Sequence, residues 1–128
     1  MHILGIDASA ANHPYWMEML ASNPSTRYLT KSSTGDVYLG LDSSGNSVKL
    51  NSLGALQWQK TNAITLAGTA VDSSDNLYTV GNASGPTPHL VKSDSSGTIL
   101  WQRKVTSAVS YSAVGTDSSG NVYAGTTE

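Results

Sequence analysis

The chain has 128 residues, 38% of them hydrophobic and only 12% charged, with a formal net charge of -2 at pH 7 and no cysteine. One hydrophobic core must serve a chain of this length, which argues against a two-lobed enzyme with an interdomain cleft. The scattered Lys and Arg give no electrostatic footprint for nucleic acid, and the lack of thiols excludes disulfides, thiolate metal sites and a thiol nucleophile. Small neutral polar residues make up the balance, a composition of many turns and few helix formers. No apolar run approaches the roughly 20 residues that a membrane helix needs, so no membrane insertion is expected. The opening residues do not read as an export signal.

Taken in chain order, residues 1–26 form an N-terminal docking or strand segment. His2-Ile3-Leu4-Gly5-Ile6-Asp7-Ala8-Ser9 echoes Val37-Tyr38-Leu39-Gly40-Leu41-Asp42-Ser43-Ser44. The echo predicts a degenerate strand that finishes a half unit at the other end of the chain, its own or a neighbour's. Pro14 to Leu20 predicts a helical turn, because Pro suits the first turn of a helix and Asn23-Pro24 ends one. Tyr15, Trp16, Met17, Met19 and Leu20 are more apolar than one such turn buries alone. They are the candidate partner-binding residues, with simple core packing as the alternative.

From residue 27 the chain is a β-repeat domain, divided as 27–62, 63–108 and 109–128. Gly35-Asp36-Val37-Tyr38 recurs as Asp75-Asn76-Leu77-Tyr78 and as Gly120-Asn121-Val122-Tyr123. Val48-Lys49 through Trp58-Gln59-Lys60 recurs as Val91-Lys92 through Trp101-Gln102-Arg103. The period of about 40–45 residues is that of four-stranded propeller blades. Alternation at period two marks strands. Ser32-Ser33-Thr34-Gly35, Asn51-Ser52-Leu53-Gly54, Asp72-Ser73-Ser74-Asp75, Asp94-Ser95-Ser96-Gly97 and Asp117-Ser118-Ser119-Gly120 then read as hairpin turns. The fold class expected is all-β: four-stranded antiparallel blade repeats, about two and a half per chain by this period, closed or capped by oligomerisation. The alternative is a single-chain β-trefoil.

The repeats explain most of the chemistry-bearing residues as structure. Each Asp-Ser-Ser-Gly segment reads better as a turn than as a calcium loop, which gathers several carboxylates. Trp58 and Trp101 stand at equivalent places, as do Tyr38, Tyr78 and Tyr123, and such rings pack between neighbouring sheets while the hydroxyls stay at a polar edge. His2, His13 and His89 lie too far apart in sequence for a local metal site, and no Gly-x-Ser-x-Gly elbow occurs. No catalytic residue, metal or cofactor is assigned. Gly81 to Pro88 is the longest irregular stretch of the second unit, and its Asn82, Ser84, Pro86 and Thr87 are the candidate loop-recognition residues.

The residues Gly-Asn-Val-Tyr, Val-Lys-x-Asp-Ser-Ser-Gly and Leu-Trp-Gln-Arg resemble the β-propeller repeats of bacterial surface proteins and bacteriophage structural proteins, over about Arg27 to Glu128. The Val-Tyr strand followed by Gly54-Ala55-Leu56-Gln57-Trp58 or Gly97-Thr98-Ile99-Leu100-Trp101 is also similar to the repeat of quinoprotein-type propellers. The resemblance implies a blade and carries no catalytic residue. It implies a non-enzymatic virion protein, a tail-tip, fibre or capsid-decorating module made in the host cytoplasm. Its partners would be copies of itself, other virion proteins and a host-surface glycan, with no nucleic acid. A small lectin-like carbohydrate-binding protein is the rival function.

Overall fold

Five turns of one design set the frame of the molecule. In each, the first residue donates its N–H to the carbonyl of the fifth and accepts the N–H of the fourth, as in Asp94 N to Thr98 O and Gly97 N to Asp94 O, both 2.9 Å. The fourth residue adopts positive φ, which is why it is glycine at Gly35, Gly54, Gly97 and Gly120; Asp75, at φ 66°, is the exception. In four of the five the first side chain fixes the turn by accepting backbone N–H groups two and four residues on, as Asn51 does from Leu53 and Ala55 and Asp72 from Ser74 and Asn76, while Ser32 accepts only that of Asp36.

The computed structural model describes residues 2–6, 14–19, 26–41, 45–61, 64–83, 87–104 and 110–127. Over these described residues it is all-β, with twelve strands: β1 (His2–Ile6), β2 (Pro14–Met19), β3 (Thr26–Lys31), β4 (Val37–Leu41), β5 (Asn46–Leu50), β6 (Leu56–Thr61), β7 (Ile64–Val71), β8 (Leu77–Ala83), β9 (Thr87–Ser93), β10 (Ile99–Lys104), β11 (Ser110–Thr116) and β12 (Val122–Thr127). Strands β3 to β6 and β7 to β10 form two four-stranded antiparallel meanders, while β1–β2 and β11–β12 are two-stranded hairpins. Each described pairing joins neighbours in sequence, so these pairings close no barrel of the kind a β-trefoil requires.

The sheets stack face to face. Strand β7 packs on β3 and β4, and β11 packs on β7, β8 and β9. Middle strands are therefore buried on both faces: Tyr38, Leu39 and Leu41 in β4, and Tyr78 and Val80 in β8, are at most 2% exposed. One cluster joins Leu39, Leu41, Val48 and Leu50; another carries Tyr78, Val80 and Leu90 onto Tyr111 of the third unit. The outer strands β6 and β10 face solvent except at their tryptophans.

Two sequence expectations are corrected. Pro14 to Met19 is a strand, not a helical turn, because these residues pair antiparallel with β1 from His2 opposite Met19 to Ile6 opposite Pro14. Proline is accommodated as the first residue of the strand. The irregular stretch of the second unit is also shorter than the composition suggested. Gly81 to Ala83 continue β8 and Thr87 and Pro88 begin β9, paired Gly81 with His89, Asn82 with Pro88 and Ala83 with Thr87.

Candidate functional site

The polar side chains that repeat along the sequence converge at the turn end of the sheets. In the second unit Asp72, the first turn residue, is 7% exposed. Its Oδ1 accepts the N–H groups of Ser74 and Asn76 at 2.9 Å, and its Oδ2 accepts the Asn76 amide at 2.9 Å and the Tyr78 hydroxyl at 3.1 Å. Lys92 Nζ lies 3.6 Å from the same oxygen and 5.1 Å above the Tyr78 ring, and Trp101 meets that ring edge-on at 6.0 Å. Each member is held by the next: turn, strand two, strand three, strand four.

The first unit builds the same group from different donors. Its turn begins with Ser32, which is too short to reach the tyrosine and instead accepts the Asp36 N–H at 3.0 Å. Tyr38 turns to the neighbouring unit and donates to Asp75 Oδ2 at 3.2 Å. Lys49 bridges Asp36 at 2.9 Å and Asp75 at 3.3 Å, with its Nζ 5.1 Å above the Tyr38 ring. Trp58 meets that ring edge-on at 5.9 Å and donates its indole N–H to the Ser95 carbonyl at 2.9 Å. The first unit is thus tied to the two upper turns of the second. In the third unit Asp117 accepts the Tyr123 hydroxyl at 3.0 Å, but Tyr123 is 61% exposed. The expectation that all three tyrosine rings are buried fails there, where the described sheet has two strands and not four.

The electrostatics follow the geometry. Burial, and beyond it the Asp75 carboxylate, push the Tyr38 hydroxyl up to about 12 against the pull of Lys49. Burial alone would lower Lys49, but its contacts with Tyr38, Asp36 and Asp75 outweigh this and hold it above its ordinary value. Burial likewise opposes ionisation of Asp72, and the hydrogen bonds from Asn76, Tyr78 and Ser74 overcome it, so the carboxyl sits below its usual range. A lowered carboxyl contributes stability that is present above about pH 4 and lost as pH falls through its folded value. A raised tyrosine or lysine contributes stability that is full below its unfolded value and lost as pH rises through the folded one. Melting temperature is therefore expected to hold through neutral pH, fall in acid, and fall again between pH 10 and 12, the interval set by Tyr38. Tyr38→Phe flattens the alkaline limb; a Tm in the parent chain that does not move from pH 9 to pH 11 would refute this assignment.

Strands β3, β7 and β11 lie beside one another and line a cavity of about 290 Å3 with Arg27, Tyr28, Thr69, Ser112 and Val114 on its walls. A second, of about 300 Å3, lies between Ile64, Ala83, His89, Val91 and Gln102. Among the described residues no group of three or more His, Asp or Glu could hold a metal ion, and no helix is long and apolar enough to cross a membrane.

The candidate residues chosen from sequence fall elsewhere. Tyr15, Trp16, Met17 and Met19 lie together on β2, and Leu20 is outside the described residues. Asn82 sits near the end of β8, its Oδ1 buried with no partner among the described residues, and Thr87 opens β9. Ser84 and Pro86 are outside the described residues. Sequence reasoning misses Lys49 and Lys92, and places Asp75 only in its own turn. The repeated Val-Lys dipeptide, and an Asp where the other turns have Gly, were the signals that could have found them.

No protein-family model matches the chain, and no curated protein matches it. Its fold is similar to that of solved structures. One is a protein of unknown function from Bacteroides caccae, at 9% identity and a TM-score of 0.68, covering 96% of this chain and 49% of that one. Another is a luciferin-regenerating enzyme, at 15% identity and a TM-score of 0.56, covering 85% of this chain and 40% of that one. The chain thus spans half or less of the length of each. At these identities the likeness concerns the fold alone.

Proposed function

We propose that the chain is a non-enzymatic structural and binding module, built of propeller-blade repeats that complete one another between chains, and that it serves in a bacteriophage particle. The observation that carries the first part is the reuse of one side-chain group, Asp72-Tyr78-Lys92-Trp101, as Asp75-Tyr38-Lys49-Trp58 in the unit before it. A group repeated from one unit to the next and engaged across their boundary serves the architecture, since a catalytic set is a single exception placed upon a scaffold. The stacked four-stranded meanders support the blade reading. The indole N–H of Trp58 is used on Ser95 across the unit boundary, which weighs against a sugar platform there.

The virion assignment is supported by the resemblance of the Val-Tyr and Val-Lys-x-Asp-Ser-Ser-Gly repeats to those of phage structural proteins. Quantitative mass spectrometry of particles purified from the source culture tests it. The chain should co-purify with capsid and tail proteins at a fixed copy number. Its presence in the lysate but not in the particles would overturn that placement.

A further inference from the structure

The two hairpins that stand outside the four-stranded sheets are complementary halves of one unit. In β5–β6, Lys49 pairs with Trp58 and Val48 with Gln59; in β9–β10, Lys92 pairs with Trp101, Val91 with Gln102 and Leu90 with Arg103. The hairpin β1–β2 repeats this register, with Gly5 opposite Trp16, Leu4 opposite Met17 and Ile3 opposite Glu18. By pairing, His2-Ile3-Leu4 parallels His89-Leu90-Val91 and Trp16 takes the place of Trp101, so β1 corresponds to the third strand of a unit and not to the second, with which its echo of Val37–Ser44 aligns it. So β1–β2 is an outer hairpin without its inner strands. With the Asp117 turn and Tyr123, β11–β12 is an inner hairpin without its outer ones.

Two exposed side chains mark what each half lacks. Tyr123 is 61% exposed where Tyr38 and Tyr78 are buried. Leu29 of β3 is 62% exposed. Its equivalents by register are Thr69 and Val114, which pair with Thr79 and Ala124 as Leu29 pairs with Leu39. Both lie half-buried against the preceding unit, close to Gly40 and Gly68 respectively. The same contact for Leu29 calls for a preceding β11–β12 hairpin, whose Ala113 and Gly125 occupy the positions of Gly68 and Val80 and are themselves exposed.

We propose that two copies of this chain complete one another, β1 of each adding antiparallel to the outer edge of β12 of the other. This rests on the blade reading above. The register carries over from β4–β5 and β8–β9: Val122 opposite Ile6, Tyr123 opposite Gly5, Ala124 opposite Leu4, Gly125 opposite Ile3 and Thr126 opposite His2. In that register Trp16 takes the position from which Trp58 and Trp101 meet their tyrosines. Each chain brings two complete sheets, and two shared sheets related by a two-fold axis close a ring of six units. Closure of one chain on itself would make three units, fewer than the four to eight that propellers use. Paired edges also remove the open β12 border that would otherwise template uncontrolled strand addition.

Cysteine pairing tests the junction without interference, because the chain has no cysteine of its own. Antiparallel partners lie about 4.5–5.5 Å apart at Cα, within disulfide range. Leu4→Cys and Ala124→Cys, carried on separate chains and co-expressed, should give an oxidised two-chain band on a non-reducing gel. Neither variant alone, nor Leu4→Cys with Gly125→Cys, should do so to a comparable extent. Light scattering of the unsubstituted chain at micromolar concentration should return twice the chain mass. A single-chain mass, or a doubly substituted chain that closes its own disulfide, overturns the second copy while leaving the blade reading intact. A two-chain species that cross-links in none of these combinations overturns this edge. Absence from particles, by contrast, overturns the virion placement and not the dimer.

Discussion

Asp72→Ala is expected to destabilise the chain by about 3–4 kcal/mol, lowering Tm by roughly 10 °C or more. One buried carboxylate accepts from the backbone of Ser74 and Asn76, the Asn76 amide and the Tyr78 hydroxyl, and faces Lys92. Alanine leaves the Tyr78 hydroxyl and the Lys92 charge without their acceptor at a site only 7% open to solvent. Water can replace few of those bonds. Asp117 makes the corresponding bonds to Ser119, Asn121 and Tyr123, but on the exposed third unit. In a single chain, at concentrations too low for a second copy to cover Tyr123, Asp117→Ala should therefore lower Tm by only a small fraction as much. Thermal melts of the two variants decide the point, and equal shifts would mean that burial does not set the strength of this turn.

Gly81→Ala is expected to cost about as much, by a steric route. A Cβ on Gly81 would run into the Thr65 carbonyl oxygen and lie 2.9 Å from its carbon and 3.1 Å from Leu66 Cα. All three are backbone atoms of β7, beside the bulge between Leu66 and Gly68, so no side chain can rotate out of the way. Relief requires β7 and β8 to separate along the sheet that carries Tyr78 and Val80. We expect a loss of about 3–4 kcal/mol. Gly115 is the control, with nothing within 4 Å of its added Cβ; Gly115→Ala should stay within about 0.5 kcal/mol of the parent. Urea unfolding followed by tryptophan fluorescence measures both. A Gly81→Ala chain as stable as the parent would show that the two strands are not held at this spacing.

Much of the fold was legible because the repeat writes it several times. The Val37-Tyr38 and Leu77-Tyr78 pairs, the Val-Lys dipeptides and the turns locate the strands of both four-stranded sheets, and their period two needs no tertiary information. The N-terminal hairpin was harder. Proline followed by Tyr15-Trp16-Met17 is compatible with a first helical turn, and only pairing to β1 fixes it as a strand. The stretch around Asn82 looked irregular for the same reason, since Gly, Asn and Pro are turn formers until a ladder such as Asn82 with Pro88 absorbs them.

The polar group at the turn end was illegible in a more instructive way. Asp75 stands where the other turns have glycine and adopts φ 66°, a conformation that aspartate tolerates better than most residues. Within its own turn that choice has no evident merit. Its reason lies in the unit before, where Tyr38 and Lys49 need the carboxylate that Ser32 does not supply.

That loan gives the array a direction. The second unit carries its own acceptor in Asp72, whereas the first depends on one from downstream, so melting the second must also strip the first, and the reverse does not hold. Amide exchange should accordingly rank the β7–β9 segment as the last to open, with β4 and β5 released in an earlier step. A chain of near-identical modules thus acquires a seed and an appendage, and the difference between them comes down to one serine and one aspartate.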